Sequence, residues 1–270
     1  MSDFLQEMAN DSAARAAASS ESFSDHALDR TVFPLCLDRF GIIAEIKNRS
    51  PAEGELAAPG GDLAARAQAY VRGGAAAISV LTEPERFAGD LSHLEAVVDA
   101  VAADGIPVMR KDFLVKPAQI LEAKARGASG VLLIAAMLDK AAMASMLDCA
   151  FEHDLFVLLE SFDETDLEYS AHLLERLAYR EQAQRNKFLV GVNSRNLRSL
   201  AVDPNRLRRF GPRLPRRATC VAESGLYGPD DAQDVAAWGY RVALVGTALM
   251  RAAEPGSLIA DMLAAGRTHA

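Results

Sequence analysis

The chain is poor in the features that would place it outside the soluble enzymes. It has only three cysteines, Cys36, Cys149 and Cys220. They are far apart, form no CxxC and have no histidine at metal-ligand spacing, which argues against a disulfide framework or a zinc site. Reduced, buried thiols are expected instead. No segment reaches the roughly 18 apolar residues of a membrane span. The N-terminal stretch MSDFLQEMANDSAARAAASS carries early acids and no apolar core of signal-peptide length. A cytoplasmic location is expected. There is no basic excess: the formal net charge is −8, which argues against nucleic acid or an anionic membrane as partners. An anionic small molecule stays open, because a pocket can be positive on an acidic protein. No GxGxxG follows the first apolar run, and HExxH, GxSxG and Walker A patterns are missing. Dinucleotide, metalloprotease, α/β-hydrolase and P-loop readings therefore have no support.

What is present is a rhythm. Eight short apolar runs follow one another: Ile42–Lys47, Ala76–Leu81, Pro107–Lys111, Gly130–Ile134, Phe156–Glu160, Phe188–Asn193, Thr219–Glu223 and Val242–Val245. Between them lie helical patterns at Leu63–Arg72, Leu91–Ala103, Pro117–Arg126, Lys140–Glu152, Glu164–Gln182, Asn205–Phe210, Pro229–Trp238 and Gly256–Ala265. Prolines stand at several helix starts, and glycines such as Gly73, Gly105, Gly127 and Gly239 follow helix ends. Such alternation implies a parallel sheet with right-handed crossovers. Eight units in 270 residues suit an α/β fold closed as a (β/α)8 TIM barrel. The expected organisation is a single barrel domain over 40–270, preceded by an N-terminal helical extension over 1–39. Phe4, Leu5, Met8, Phe23, Phe33 and Leu35 would pack that extension over the barrel, with a flexible stretch at Ala16–Ser22. The fifth unit, with its polar tail Arg180–Lys187, reads as a long surface extension away from the chemistry.

A parallel strand buried on both faces should be almost wholly apolar. Here Lys47, Lys111, Glu160, Asn193 and Glu223 each close a run. Their recurrence at one end suggests convergence on the C-terminal mouth, where barrel enzymes carry their chemistry. Lysine is almost never fully buried unless paired, so Lys47 and Lys111, near Glu45, Glu160 and Glu223, are candidate proton donors or anion ligands. A structural ion pair is the plainer alternative for each. Asn193 can orient a hydroxyl, and Arg195 offers a fork suited to carboxylate or phosphate. Ser224-Gly225 follows the seventh run and Gly246-Thr247 the eighth. Those are the two loops that commonly hold phosphate in such barrels, although either pair alone would read as a tight turn. Arg110 and Asp112 flank Lys111 and read as a structural pair. His26, His93, His153, His172 and His269 fall outside the strand ends and read as surface residues, and Trp238 as outer-layer packing.

At these residues the chain resembles the indole-3-glycerol phosphate synthase family of tryptophan biosynthesis. The matching blocks are IIAEIKNRSP (Ile42–Pro51), ISVLTEPERFAGDL (Ile78–Leu91), PVMRKDFLV (Pro107–Val115) and GVLLIAAML (Gly130–Leu138). LLESFDETDL (Leu158–Leu167), VGVNSRNL (Val190–Leu197), VAESGL (Val221–Leu226) and ALVGTALM (Ala243–Met250) follow in order. The resemblance implies a ring-closing carboxy-lyase acting on 1-(2-carboxyphenylamino)-1-deoxyribulose 5-phosphate, with no cofactor. It implies Lys111 as general acid at the ketone oxygen, Glu160 as general base and Lys47 as acid in the dehydration. Glu45, Asn193 and Glu223 would orient the lysines and sugar hydroxyls. Ser50 and Arg195 would lie near the anthranilate carboxylate, and Phe87, Phe113, Leu132 and Leu197 would line the aromatic pocket. Ser224, Gly225, Gly246 and Thr247 would hold the phosphate. The chain departs from the family after Pro51, where Ala52-Glu53-Gly54 replaces a stretch that often carries lysine.

Other readings remain at this point: a paralogue acting on a related N-aryl ribulose phosphate, a phosphoribosylanthranilate-type isomerase, a Schiff-base aldolase, or a binding barrel without turnover. The isomerase would want an Asp pair, and the aldolase a lysine with depressed pKa. No clear interface stripe is visible in the sequence, so a monomer is the default.

Overall fold

The computed structural model describes residues 3–19, 23–51, 54–56, 61–197 and 201–269. Eight parallel strands close into a barrel: β1 Gly41–Ile46, β2 Ala77–Leu81, β3 Val108–Lys111, β4 Gly130–Ile134, β5 Phe156–Ser161, β6 Phe188–Asn193, β7 Thr219–Glu223 and β8 Val242–Val245. Each strand pairs with its sequence neighbours, and β1 pairs with β8 to complete the ring, Gly41 opposite Val242. This is the TIM-barrel fold expected from the alternation of runs and helices. A two-residue ladder, Arg49–Ser50 with Gly54–Glu55, forms a small hairpin beyond β1.

Side chains alternate across each strand, and the hydrophobic core divides accordingly. One cluster, including Ile42, Ala44, Ile78, Val80, Val131, Leu133, Val157, Leu159, Val190 and Val192, packs against the surrounding helices. The other, with Ile43, Ala77, Met109, Leu132, Leu158, Leu189, Val221 and Val242, fills the barrel. Counting on by two from the inner set reaches Glu45, Lys111, Glu160, Asn193 and Glu223. Strand parity alone therefore turns the ionisable residues into the barrel, at its C-terminal end.

The extension is helical over Asp3–Ala18 and again over Asp25–Leu28. Leu5 and Met8 are fully buried with the inner cluster, and Phe4 meets the Phe113 ring edge-on at 6.0 Å. Ala16–Ala18 form the last turn of the first helix rather than a flexible stretch, since alanine favours helix and Arg15 in that turn is tied down. Ser20–Ser22, like Ala52 and Glu53 in the first loop, lie outside the described residues. The tie is Asp112, almost wholly buried. Its Oδ1 accepts from Arg15 Nη2 at 2.8 Å and from the Phe113 amide at 2.8 Å. Its Oδ2 accepts from the Thr82 hydroxyl at 2.9 Å and from Arg110 Nη2 at 3.2 Å. Arg110 also reaches Glu122 at 2.6 Å. Arg110 and Asp112 are thus the structural pair expected. Asp112→Ala would take one shared carboxylate from two arginines, leaving Arg110 with Glu122, and is expected to destabilise the fold by about 1–3 kcal/mol, measurable by urea denaturation.

Two further expectations are corrected. The fifth unit is two helices, Glu164–Leu173 and Leu177–Gln184, because tertiary packing overrides local helix preference there. Tyr179 turns inward against Phe151 and Phe188 and donates to Asp148 at 2.9 Å. Cys36 is exposed and Cys149 only half-buried, leaving Cys220 as the one buried thiol. Cys36 lies in the irregular segment that crosses the surface to reach β1. A short helix, Thr247–Arg251, precedes the last one, Pro255–Gly266. No helix among the described residues is long and apolar enough to cross a membrane.

Candidate active site

One cavity at the C-terminal mouth is lined by Glu45, Lys47, Lys111, Glu160, Asn193 and Glu223 together. Ser50, Phe87, Phe113, Leu132, Arg195, Leu197, Ser224, Gly225, Gly246 and Thr247 line the same cavity. Every candidate site residue read from the sequence therefore borders this one cavity.

The charges form two linked groups. Lys47 Nζ stands 2.8 Å from Glu45 Oε1. Lys111 Nζ stands 3.3 Å from Glu160 Oε2 and 3.9 Å from Glu223 Oε2. Asn193 Nδ2 donates to Glu160 Oε1 at 3.0 Å, and its own oxygen accepts from the Arg195 amide at 2.8 Å. The asparagine thus fixes Glu160 from the side opposite the lysine.

Burial and charge pull these groups in different directions. Burial alone would lower the Lys111 pKa, but the Glu160, Glu223 and Glu45 carboxylates outweigh it and hold the ammonium above the ordinary lysine range. A Schiff-base lysine needs the opposite shift, so the aldolase reading loses its nucleophile at this position. For Glu45, burial works upward, yet the Lys47 and Lys111 ammoniums prevail and hold it below the usual value. Glu223 is different. Burial and the adjacent Glu160 carboxylate raise it well above the ordinary value, against the pull of Lys111. Neither of its oxygens has a hydrogen-bond partner among the described residues.

Two turns complete the mouth. After β7, Ser224 and Gly225 both take positive φ, 65° and 74°. That conformation costs a non-glycine residue, and the Ser194 hydroxyl steadies it by donating to the Ser224 carbonyl at 2.8 Å. After β8, a Cβ on Gly246 would collide with Glu45 Oε1 and come within 3.0 Å of Lys47 Nζ. Glycine is thus required for the Lys47–Glu45 pair to lie against this turn. On the aromatic side, Phe87 and Phe113 stand 6.2 Å apart.

A family model described as indole-3-glycerol phosphate synthase matches residues 3–262. The indole-3-glycerol phosphate synthase of Parafrankia sp. (strain EAN1pec) is 44% identical over 231 residues, 86% of this chain and 80% of that protein. The chain belongs to the indole-3-glycerol phosphate synthase family. The proteins of that name from Nocardioides sp. (strain ATCC BAA-499 / JS614) and Mycobacterium leprae (strain TN) are each 42% identical. They match over 82% and 85% of this chain and 79% and 78% of their own lengths. Family membership makes the chain an enzyme, a carboxy-lyase of tryptophan biosynthesis. Among solved structures, 3-hexulose-6-phosphate synthase from Salmonella typhimurium aligns with a TM-score of 0.62 at 16% identity, over 85% of this chain and all of that one. Tryptophan synthase from M. tuberculosis aligns at 0.58 and 17%, over 85% and 94%. At such identities the likeness is one of fold.

The cavity also holds residues not picked out from the sequence: Leu81, Ile134, Leu244, Leu226 and Tyr227. Leu81, Ile134 and Leu244 were legible by parity, since each lies two residues beyond an inward-facing position of its strand. Tyr227 and Leu226 follow the Ser224-Gly225 turn and carry no periodic signal. The sequence assigns Phe4 only to packing of the extension over the barrel; its ring backs Phe113.

Proposed function

We propose that the chain converts 1-(2-carboxyphenylamino)-1-deoxyribulose 5-phosphate to indole-3-glycerol phosphate, carbon dioxide and water, with the residues of this cavity performing the steps. The observation that carries the assignment is the Lys111 ammonium held between Glu160 and Glu223 in the same cavity as the Lys47–Glu45 pair. Ring closure makes a bond from the carboxylate-bearing aromatic carbon to the ketone carbon, and the ketone oxygen needs a proton. Lys111, kept cationic by its carboxylates, supplies it. Loss of carbon dioxide returns the electron pair to the ring. Water then leaves as Lys47 protonates the hydroxyl and Glu160 takes a proton from the adjacent methylene. The steps shift electron pairs within the substrate and exchange protons with Lys111, Lys47 and Glu160, so the reaction calls for no cofactor.

In this reading Glu45, Asn193 and Glu223 orient the lysines and sugar hydroxyls, and Ser50 and Arg195 meet the anthranilate carboxylate. Phe87, Phe113, Leu132 and Leu197 flank the aromatic ring. Ser224, Gly225, Gly246 and Thr247 hold the phosphate where backbone amides of the last two loops favour an anion. Residues 1–39 are taken as an extension of a single barrel domain over 40–270, working as a cytoplasmic monomer without nucleic acid or membrane.

The test is direct. Purified protein given this substrate should generate indole fluorescence with enzyme-dependent, saturable kinetics. Folded protein that produces none would refute the assignment, and turnover of a different N-aryl ribulose phosphate would move it to a paralogue.

A further inference from the structure

Gly191 lies in the middle of β6, opposite Glu160 on β5 and Val221 on β7. Its backbone does not demand glycine: it is not among the residues with positive φ. A glycine inside a strand weakens it relative to alanine and commonly marks a close approach by another group. Here the approaching group is a side chain. A Cβ on Gly191 would overlap Glu223 Oε1 and lie 3.1 Å from Leu158 Cδ1. The carboxyl of Glu223 therefore occupies the space where every other residue type carries its first side-chain carbon.

We propose that Gly191 is a positioning residue, whose missing Cβ is the seat that lets Glu223 fold across β6 towards Glu160 and Lys111. The seat accounts for three features at once. Glu223 is buried to within 1% of complete, its oxygens lack hydrogen-bond partners among the described residues, and it still comes within 3.9 Å of Lys111 Nζ. Without the gap, the carboxyl would have to swing away from the strand and leave Lys111 with one carboxylate fewer. Gly246 bears the same relation to Glu45, but it also borders the loop assigned to phosphate, so Gly191 is the cleaner case. The inference rests on Glu223 belonging to the catalytic set.

The test is a double-mutant cycle between Gly191→Ala and Glu223→Ala, reading kcat, KM and Tm. Gly191→Ala alone should lower kcat by about tenfold or more, as misplacement of an active-site group does, with a smaller change in KM. In the Glu223→Ala background the added methyl has no carboxyl to displace, and kcat should stay within about twofold of the Glu223→Ala parent. If Gly191→Ala fails to fold alone but folds when combined with Glu223→Ala, the competition for one space is shown by stability instead. The proposal is overturned if Gly191→Ala keeps its kcat, if the loss is equally large in both backgrounds, or if both variants unfold. Full turnover by Glu223→Ala alone would instead refute the role given to Glu223 itself, which separates the two failures.

Discussion

Lys111→Ala is expected to lower kcat by about 10²–10⁴-fold, the usual worth of a positioned acid or base, while the barrel stays folded. Lys111 is the last residue of β3. Its side chain is 15% exposed, so the ammonium is mostly withdrawn from water and depends on its partners. Glu160 at 3.3 Å and Glu223 at 3.9 Å supply them. Because these carboxylates, with Glu45, raise the lysine above its ordinary range against the effect of burial, it remains an ammonium throughout neutral and mildly alkaline pH. The alkaline limb of the kcat/KM profile should therefore not report deprotonation of Lys111 at the usual lysine position. Steady-state kinetics of Lys111→Ala, with circular dichroism to verify folding, checks the first point. A near-wild-type rate would remove Lys111 from the mechanism.

Glu160→Gln is expected to abolish turnover to a similar degree, about 10²–10⁴-fold in kcat, with little effect on KM. The amide keeps the shape of the side chain and its oxygen can still accept from Asn193 Nδ2, which now stands 3.0 Å from Oε1. What it loses is the ability to take a proton and the charge facing Lys111. A loss confined to KM would show that Glu160 binds substrate without acting as a base. The variant also leaves Lys111 with Glu223 as its nearest carboxylate, so the two substitutions should not be additive.

The strands and the catalytic set were legible in the sequence for one physical reason. A barrel strand is buried on both faces, so its apolar runs are unbroken, and a lysine or glutamate closing such a run has few places to go except the mouth. Five ionisable or amide positions come from that rule, and the cavity contains all five. What the sequence hid depends on distant packing. The break at Leu174–Arg176 follows from Tyr179 meeting Phe151 and Phe188, contacts invisible to a local helix pattern. Asp112 looked like a partner for Arg110, as it is, but its bond to Arg15 spans 97 positions of chain. Gly191 resembled any strand residue in an apolar run, because the reason for a missing side chain lies in another strand.

The N-terminal helix has a consequence for how the molecule comes into being. It leaves the ribosome before any strand of the barrel, yet Phe113 and Asp112, which hold its two ends, are synthesised about a hundred residues later. β1 waits longer still, since its second neighbour is β8. Such non-local pairings slow folding, so during translation Leu5 and Met8 spend their time without the apolar cover they find in the finished barrel. Closure of the ring by its last strand is then the event that makes the whole cooperative, and until then the nascent chain is at its most prone to aggregation.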